Sequence, residues 1–151
     1  MSLPTEPIGS IPRPEEVIES LRAFQAGDLS ESALEGVYDR ALRATVGAFE
    51  ATGSPVITDG EQAKPSFLTY PVEGASTLAP EGIEIPFAAG HVRRLPQLAE
   101  GPFRYERYAD TYLQQAQKYA SVPVKQSVIS ASALSLLYPD DGIEGYSRQA
   151  F

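Results

Sequence analysis

The sequence contains no cysteine and a single histidine, His91. Without cysteine there is no disulfide framework and no thiolate ligand, and one imidazole cannot assemble a metal site, so the chain does not close a zinc site by itself. Basic clusters are equally scarce: Arg93-Arg94 is the one adjacent pair, and the formal net charge is −8. Nucleic-acid binding rests on a basic footprint, which argues against such a partner. No window approaches the roughly 18 apolar residues of a membrane span. The opening MSLPTEPIGSIPRP also lacks the basic and apolar regions of a signal peptide. A cytoplasmic protein with no membrane partner is the expectation. What is present is enough apolar material for a core. With 151 residues, 42% hydrophobic and 21% charged, a single domain over 1–151 is expected.

The order of patterns along the chain is strand, helix, helix, strand. Leu3 to Ile8 is short and proline-punctuated and runs into Gly9-Ser10, which predicts a strand entering a loop. Pro14, Glu15 and Glu16 suit the first turn of a helix over 14–26, with Val17, Leu21 and Phe24 on one face and Gly27 as its stop. A longer helix is predicted over 31–52, with Ser32 and Glu35 at capping-box spacing and apolar residues from Leu34 to Phe49 at helical intervals. The run Pro55-Val56-Ile57-Thr58, bounded by Gly53 and Gly60, suits a buried parallel strand. GIEIPFAAGHVRRLPQL alternates around Ala88-Ala89-Gly90 and predicts an inserted two-stranded excursion. Tyr105, Tyr108, Tyr112, Ala116 and Tyr119 predict a helix over 105–120, and 122–129 a further strand with Pro123 at its start. A short helix near 130–137 and the start of another from Tyr146 complete the pattern.

Three βα units with an inserted hairpin point to an α/β fold with parallel strands, in which right-handed crossovers bring the strand C-termini to one face. Ligand sites in such folds lie at that face. Gly9-Ser10, Asp59-Gly60-Glu61 and Ser130 are therefore expected to converge.

Four stretches, PIGSIPRP, VITDGEQAKPSFLTY, IPFAAGHVRRLP and YASVPVKQSVISASALSLLYP, together resemble the catalytic barrel of the cobalamin-independent methionine synthase family. That family is built on the TIM (β/α)8-type scaffold shared with uroporphyrinogen decarboxylase, so the resemblance implies an incomplete barrel. About the first three βα units would be present, since roughly 250 residues are typical of eight. The implied activity is that of a 5-methyltetrahydropteroyltriglutamate-homocysteine S-methyltransferase in methionine biosynthesis: methyl transfer from methyltetrahydrofolate to a homocysteine sulfur held by zinc. Zinc lowers the thiol's pKa so that a thiolate exists at neutral pH. The resemblance carries homocysteine binding onto Ile8, Gly9, Ser10 and Glu61. Its zinc ligands, a His, a Glu and two Cys, belong to later strands, so no catalytic or metal residue is assigned here and the chain alone is expected to be inactive. The assignment is chemically reasonable. A carboxylate suits backbone N–H groups and a hydroxyl where glycine allows close approach, and an ammonium suits a fixed carboxylate. Two departures stand out: His91 falls where the family commonly reads Gly-Asp-Val, and SASALSLLYP replaces a Gly-Pro-x-Thr turn and, in the long enzymes, a folate-stacking Trp.

Other readings of these residues are open. Asp59 suits a turn-capping carboxylate as well as a ligand contact. Lys125, inside a strand, must snorkel or pair with a mouth carboxylate. The tyrosines from 105 to 119 suit packing with their hydroxyls at the rim, and Arg93-Arg94 a solvated pair. At the level of the chain, a relative acting on another thiol or alkyl donor is an alternative. So is a non-catalytic half-barrel that self-associates, or pairs with the remainder of the barrel, to cover open sheet edges.

Overall fold

The computed structural model describes residues 5–86 and 88–151. By internal contacts these fall into two compact units, Met1–Pro65 with Ala109–Ser127, and Ser66–Tyr108 with Val128–Phe151.

The first unit is built on the helices that the periodicity predicts. Helix α1, Glu15–Ala26, begins after Pro14, carries Glu15 and Glu16 in its first turn and ends at Gly27 in the left-handed region with φ 82°. Helix α2, Glu31–Ala51, is capped by Ser30, whose hydroxyl accepts from the Ala33 amide at 3.3 Å. The expected Ser32–Glu35 box is displaced because Ser30, two residues earlier, takes the extended cap geometry first. Val17 of α1 is buried against Val37 and Ala41 of α2, and Leu42 and Val46, further along α2, pack with Ile57 and Ala116. Ala116 lies on α3, Asp110–Gln117.

The parallel neighbours expected at 55–58 and 122–129 meet at one bridge, Ile57 with Val124. Ile57 N–H donates to the Pro123 carbonyl at 3.0 Å, and Lys125 N–H donates to the Ile57 carbonyl at 2.8 Å. Both ends of this ladder have physical stops. Pro123 has no N–H to extend it backwards. Forwards, the chain turns at Gly60 and Glu61, both at positive φ. The bridge is held by its surroundings: one net backbone hydrogen bond contributes about 1 kcal/mol, whereas burying a side chain such as Ile57 contributes about 1.5–3 kcal/mol. The strand expected over 3–8 begins outside the described residues, and its described part, 5–8, forms no ladder. It is tied to the unit by the Ser54 hydroxyl, which donates to the Thr5 carbonyl at 2.9 Å, and by the Glu6 carboxylate, which pairs with Lys125 at 2.8 Å.

In the second unit the expected excursion is an antiparallel pair, β1, Ile83–Pro86, with β2, Val92–Leu95, in register Ile83 to Leu95. Phe87 of the quoted pattern lies outside the described residues. A short helix α4, Ala131–Leu134, continues into a 3-10 turn, Ser135–Leu137. Two expectations are corrected. Tyr105 and Tyr108 precede α3 instead of opening it: their rings stack at 5.3 Å, and the Glu106 amide is drawn to the Pro71 carbonyl at 2.8 Å, away from helical bonding. Tyr146–Phe151 is a single turn closed on the Ser147 carbonyl, not a helix.

Candidate functional site

The turn after Ile57 is organised by its own side chains. The Thr58 hydroxyl donates to the Gly9 carbonyl at 3.2 Å and accepts from the Gly60 amide at 3.2 Å. Asp59 Oδ1 accepts from the Glu61 amide at 3.0 Å, and Oδ2 accepts from Gln126 Nε2 at 3.2 Å. Gly60 and Glu61 take φ 63° and 54°, so the chain reverses through two consecutive left-handed residues. Glycine does this freely and glutamate does not. From the other side the Arg13 guanidinium gathers the carbonyls of Glu61 at 3.2 Å, Pro65 at 3.5 Å and Lys64. Arg13 is set between Pro12 and Pro14, whose fixed φ stiffens the segment.

This arrangement brings together two of the loops expected to form the site. Gly9 is buried, and a Cβ built on it would stand 3.6 Å from Glu61 Oε1 and 2.8 Å from Ser127 Oγ. Asp59 and Glu61 are 3% and 8% exposed. Their roles differ. Both Asp59 oxygens hold protein donors, the turn-capping role, while no described residue donates a hydrogen bond to the Glu61 carboxylate. Ser10 is exposed, and Ile8, at 94%, presents its side chain to solvent. Ser130 belongs to the second unit, where its hydroxyl caps α4 by accepting from the Ala133 amide at 3.2 Å.

The buried cation at this turn is Lys64 and not Lys125, the lysine expected to snorkel or to pair with a mouth carboxylate. Lys125 pairs at the surface with Glu6 at 2.8 Å, not with Asp59 or Glu61. Lys64 is fully buried: its ammonium donates to the Ser127 carbonyl at 2.8 Å and lies 5.3 Å from the centre of the Tyr112 ring. Burial pulls its pKa below the ordinary lysine range, and the charges of Asp59 and Glu61 draw it part of the way back. Nothing in the periodicity marks it, since a lysine in a loop beside proline ordinarily faces water. Tyr112 packs as expected, at 3% exposed, but its hydroxyl is buried and not at a rim. Arg13 lies inside the stretch PIGSIPRP, which gives it no role, because its partners are backbone carbonyls some fifty residues later.

The donors for a metal are poor. Among the described residues no three His, Cys, Asp or Glu side chains are grouped to hold an ion, and His91 is exposed beside β2. These residues do not fit the zinc that the resemblance implies, and no chemistry through it is derived for them. An open cavity of about 470 Å³ occurs in the second unit, lined by Phe67, Leu68, His91, Arg93 and Leu95 among others, and shares no residue with the Glu61 turn. The turn, with its paired carboxylates and buried cation, is the better candidate on chemical grounds. No helix among the described residues is long and apolar enough to cross a membrane.

The turn thus sets two buried carboxylates beside a buried glycine. No family model matches the chain. It is 35% identical over 68 residues to a methionine synthase of Sulfurisphaera tokodaii, a match covering 45% of this chain and 20% of that protein. It is 34% identical over 74 residues to a methionine synthase of Sulfolobus acidocaldarius, covering 49% of this chain and 22% of that protein. The chain is thus related in part to methionine synthases, and the matched stretch spans about a fifth of their length.

Proposed function

We propose that this chain provides the amino-acid-binding part of a methionine synthase-type thiol methyltransferase on an incomplete TIM-type barrel, with a homocysteine-like α-amino thiol as ligand and methyltetrahydrofolate as the methyl donor. The observation that carries the proposal is the Glu61 carboxylate, 8% exposed and without a described hydrogen-bond donor, facing the buried backbone of Gly9. Asp59 is occupied by the Glu61 amide and by Gln126, so Glu61 is the anion left for a substrate ammonium. The amides of Gly9 and Ser10 make no hydrogen bond to any described residue and are the donors for the substrate carboxylate. Recognition here is confined to the amino-acid head group, which homocysteine shares with other α-amino thiols. The zinc that would hold the thiolate finds no ligand set among these residues, so the proposal for this chain stops at binding and orientation.

The test is calorimetric titration of the chain with homocysteine and with 4-mercaptobutanoate, which lacks the amino group. A charge-assisted hydrogen bond contributes about 1.5–3 kcal/mol, or about ten- to a hundredfold in affinity. Glu61→Gln is expected to weaken homocysteine by that factor and to leave 4-mercaptobutanoate within about twofold. An equal loss for both ligands, or no loss for either, would remove Glu61 from the role.

A further inference from the structure

Glu61 is the one described residue other than glycine at positive φ, and it takes that conformation without the local help available to Asn or Asp, whose short side chains can bond their own backbone. Something else must hold it. Its N–H is bonded to Asp59 Oδ1 at 3.0 Å, and its carbonyl accepts from Arg13 at 3.2 Å. Both backbone groups of the strained residue are therefore fixed by side chains. Asp59 is in turn fixed by Gln126 Nε2 at 3.2 Å, from the segment that follows the Ile57–Val124 bridge. Arg13 Nη2 also reaches the carbonyls of Lys64 and Pro65, so one terminal nitrogen of the guanidinium closes the far side of the loop.

The conformation has a consequence for the carboxylate. Rotating φ from the left-handed to the right-handed region swings the Cα–Cβ bond relative to the peptide planes that Asp59 and Arg13 hold. A Glu61 relaxed in that way no longer directs Oε1 toward the Gly9 backbone, where it now stands 3.6 Å from the position of a Cβ. Resting on the reading of Glu61 as the ammonium-binding anion, we infer that Arg13 and Gln126 are positioning residues. Arg13 acts directly on the Glu61 carbonyl and Gln126 acts through Asp59, and together they lock Glu61 in the left-handed conformation that aims its carboxylate at the head group. Strain held by surrounding structure is a recurring property of ligand sites. Here the holders are identifiable side chains that need not touch the ligand.

The experiment has two readouts. Amide hydrogen exchange measured by NMR reports the Glu61 N–H directly. Gln126→Met should accelerate exchange at Glu61 by about three- to tenfold, the worth of one ordinary hydrogen bond, while the slowest amides of α2 stay unchanged. Arg13→Lys, which keeps the charge but shortens the side chain and withdraws the Nη2 donor, should do the same. In titrations both variants should weaken homocysteine by about three- to tenfold and leave 4-mercaptobutanoate unchanged. In a Glu61→Gln background neither should weaken homocysteine further, because positioning has no effect once the positioned group is gone. Unchanged exchange at Glu61 in both variants overturns the inference. So do equal losses for the two ligands, or losses that add to that of Glu61→Gln. If the parent chain binds no homocysteine, the ammonium reading fails, and the exchange measurement alone decides whether Arg13 and Gln126 hold Glu61.

Discussion

Lys64→Met is expected to destabilise the first unit by about 3 kcal/mol at neutral pH, the lower end of the cost of removing one partner from a buried charge group. Two effects oppose each other. The methionine relieves the desolvation that depresses the Lys64 pKa, which stabilises the variant. Against that, Asp59 and Glu61, 3% and 8% exposed, lose the cation whose charge reaches them, and the Ser127 carbonyl loses its 2.8 Å donor. A buried acceptor left without a partner costs about 1–3 kcal/mol by itself, and two nearby carboxylates without a counter-charge cost more. Loss therefore wins. Urea unfolding followed by far-ultraviolet circular dichroism measures it, since the long helices α1 and α2 both lie in this unit. A variant as stable as the parent would mean that the carboxylates do not depend on Lys64.

The same substitution has a pH signature whose sign follows from the lowered pKa of Lys64. Between the folded-state value and the ordinary lysine value of 10.5, the unfolded chain holds a proton that the folded chain has released. Folding stability rises with pH wherever the unfolded state binds more protons. The parent should accordingly gain stability relative to Lys64→Met as pH rises through the interval ending near 10.5, with a constant difference below it. A difference that stays constant up to 10.5 and narrows above it would show that attraction to Asp59 and Glu61, not burial, dominates at Lys64.

The parts legible in the sequence are those with a period. Val17, Val37, Ala41 and Leu42 recur at helical spacing and are among the residues that α1 and α2 bury, and Val46 joins them in the core. The alternation around Ala88-Ala89-Gly90 likewise becomes the β1–β2 pair. The strand ends were legible only in part, because what stops the Ile57–Val124 ladder is a turn built from Thr58 and Asp59 side chains bonding to nearby backbone. Such bonds leave no periodic trace. The tripeptide Asp59-Gly60-Glu61 could be singled out, whereas the side chains that fix it could not. Arg13, Lys64 and Gln126 are distant from one another in sequence, and each bonds to a partner that pattern alone does not reveal. An isolated polar residue in a loop reads as solvated until its neighbours are known.

Gly60→Ala is expected to cost about 2–5 kcal/mol, and Gly9→Ala much less, although the nearest atom to the new methyl is about equally close in the two cases. At Gly60 the added Cβ would stand 2.7 Å from Thr45 Cγ2 and 3.1 Å from Ile11 Cγ1, and the residue has φ 63°. Left-handed backbone in a residue with a Cβ costs about 1–2 kcal/mol, and overpacking adds about 1–3 kcal/mol. Thr45 cannot move aside easily, being 6% exposed on α2 and stiff at χ1. At Gly9 the near atom is Ser127 Oγ at 2.8 Å, the end of a side chain that can turn to another rotamer, and no positive φ is required. A loss of about 1 kcal/mol suffices there. The consequence for binding is reversed. A methyl on Gly9 enters the space 3.6 Å from Glu61 Oε1 that the proposed head group occupies, so Gly9→Ala should abolish measurable homocysteine binding in a folded protein. Paired urea unfolding and calorimetry on the two variants separate these effects. A Gly9→Ala protein that binds like the parent would place the ligand elsewhere, and a Gly60→Ala protein as stable as the parent would show that the turn at 60–61 can relax.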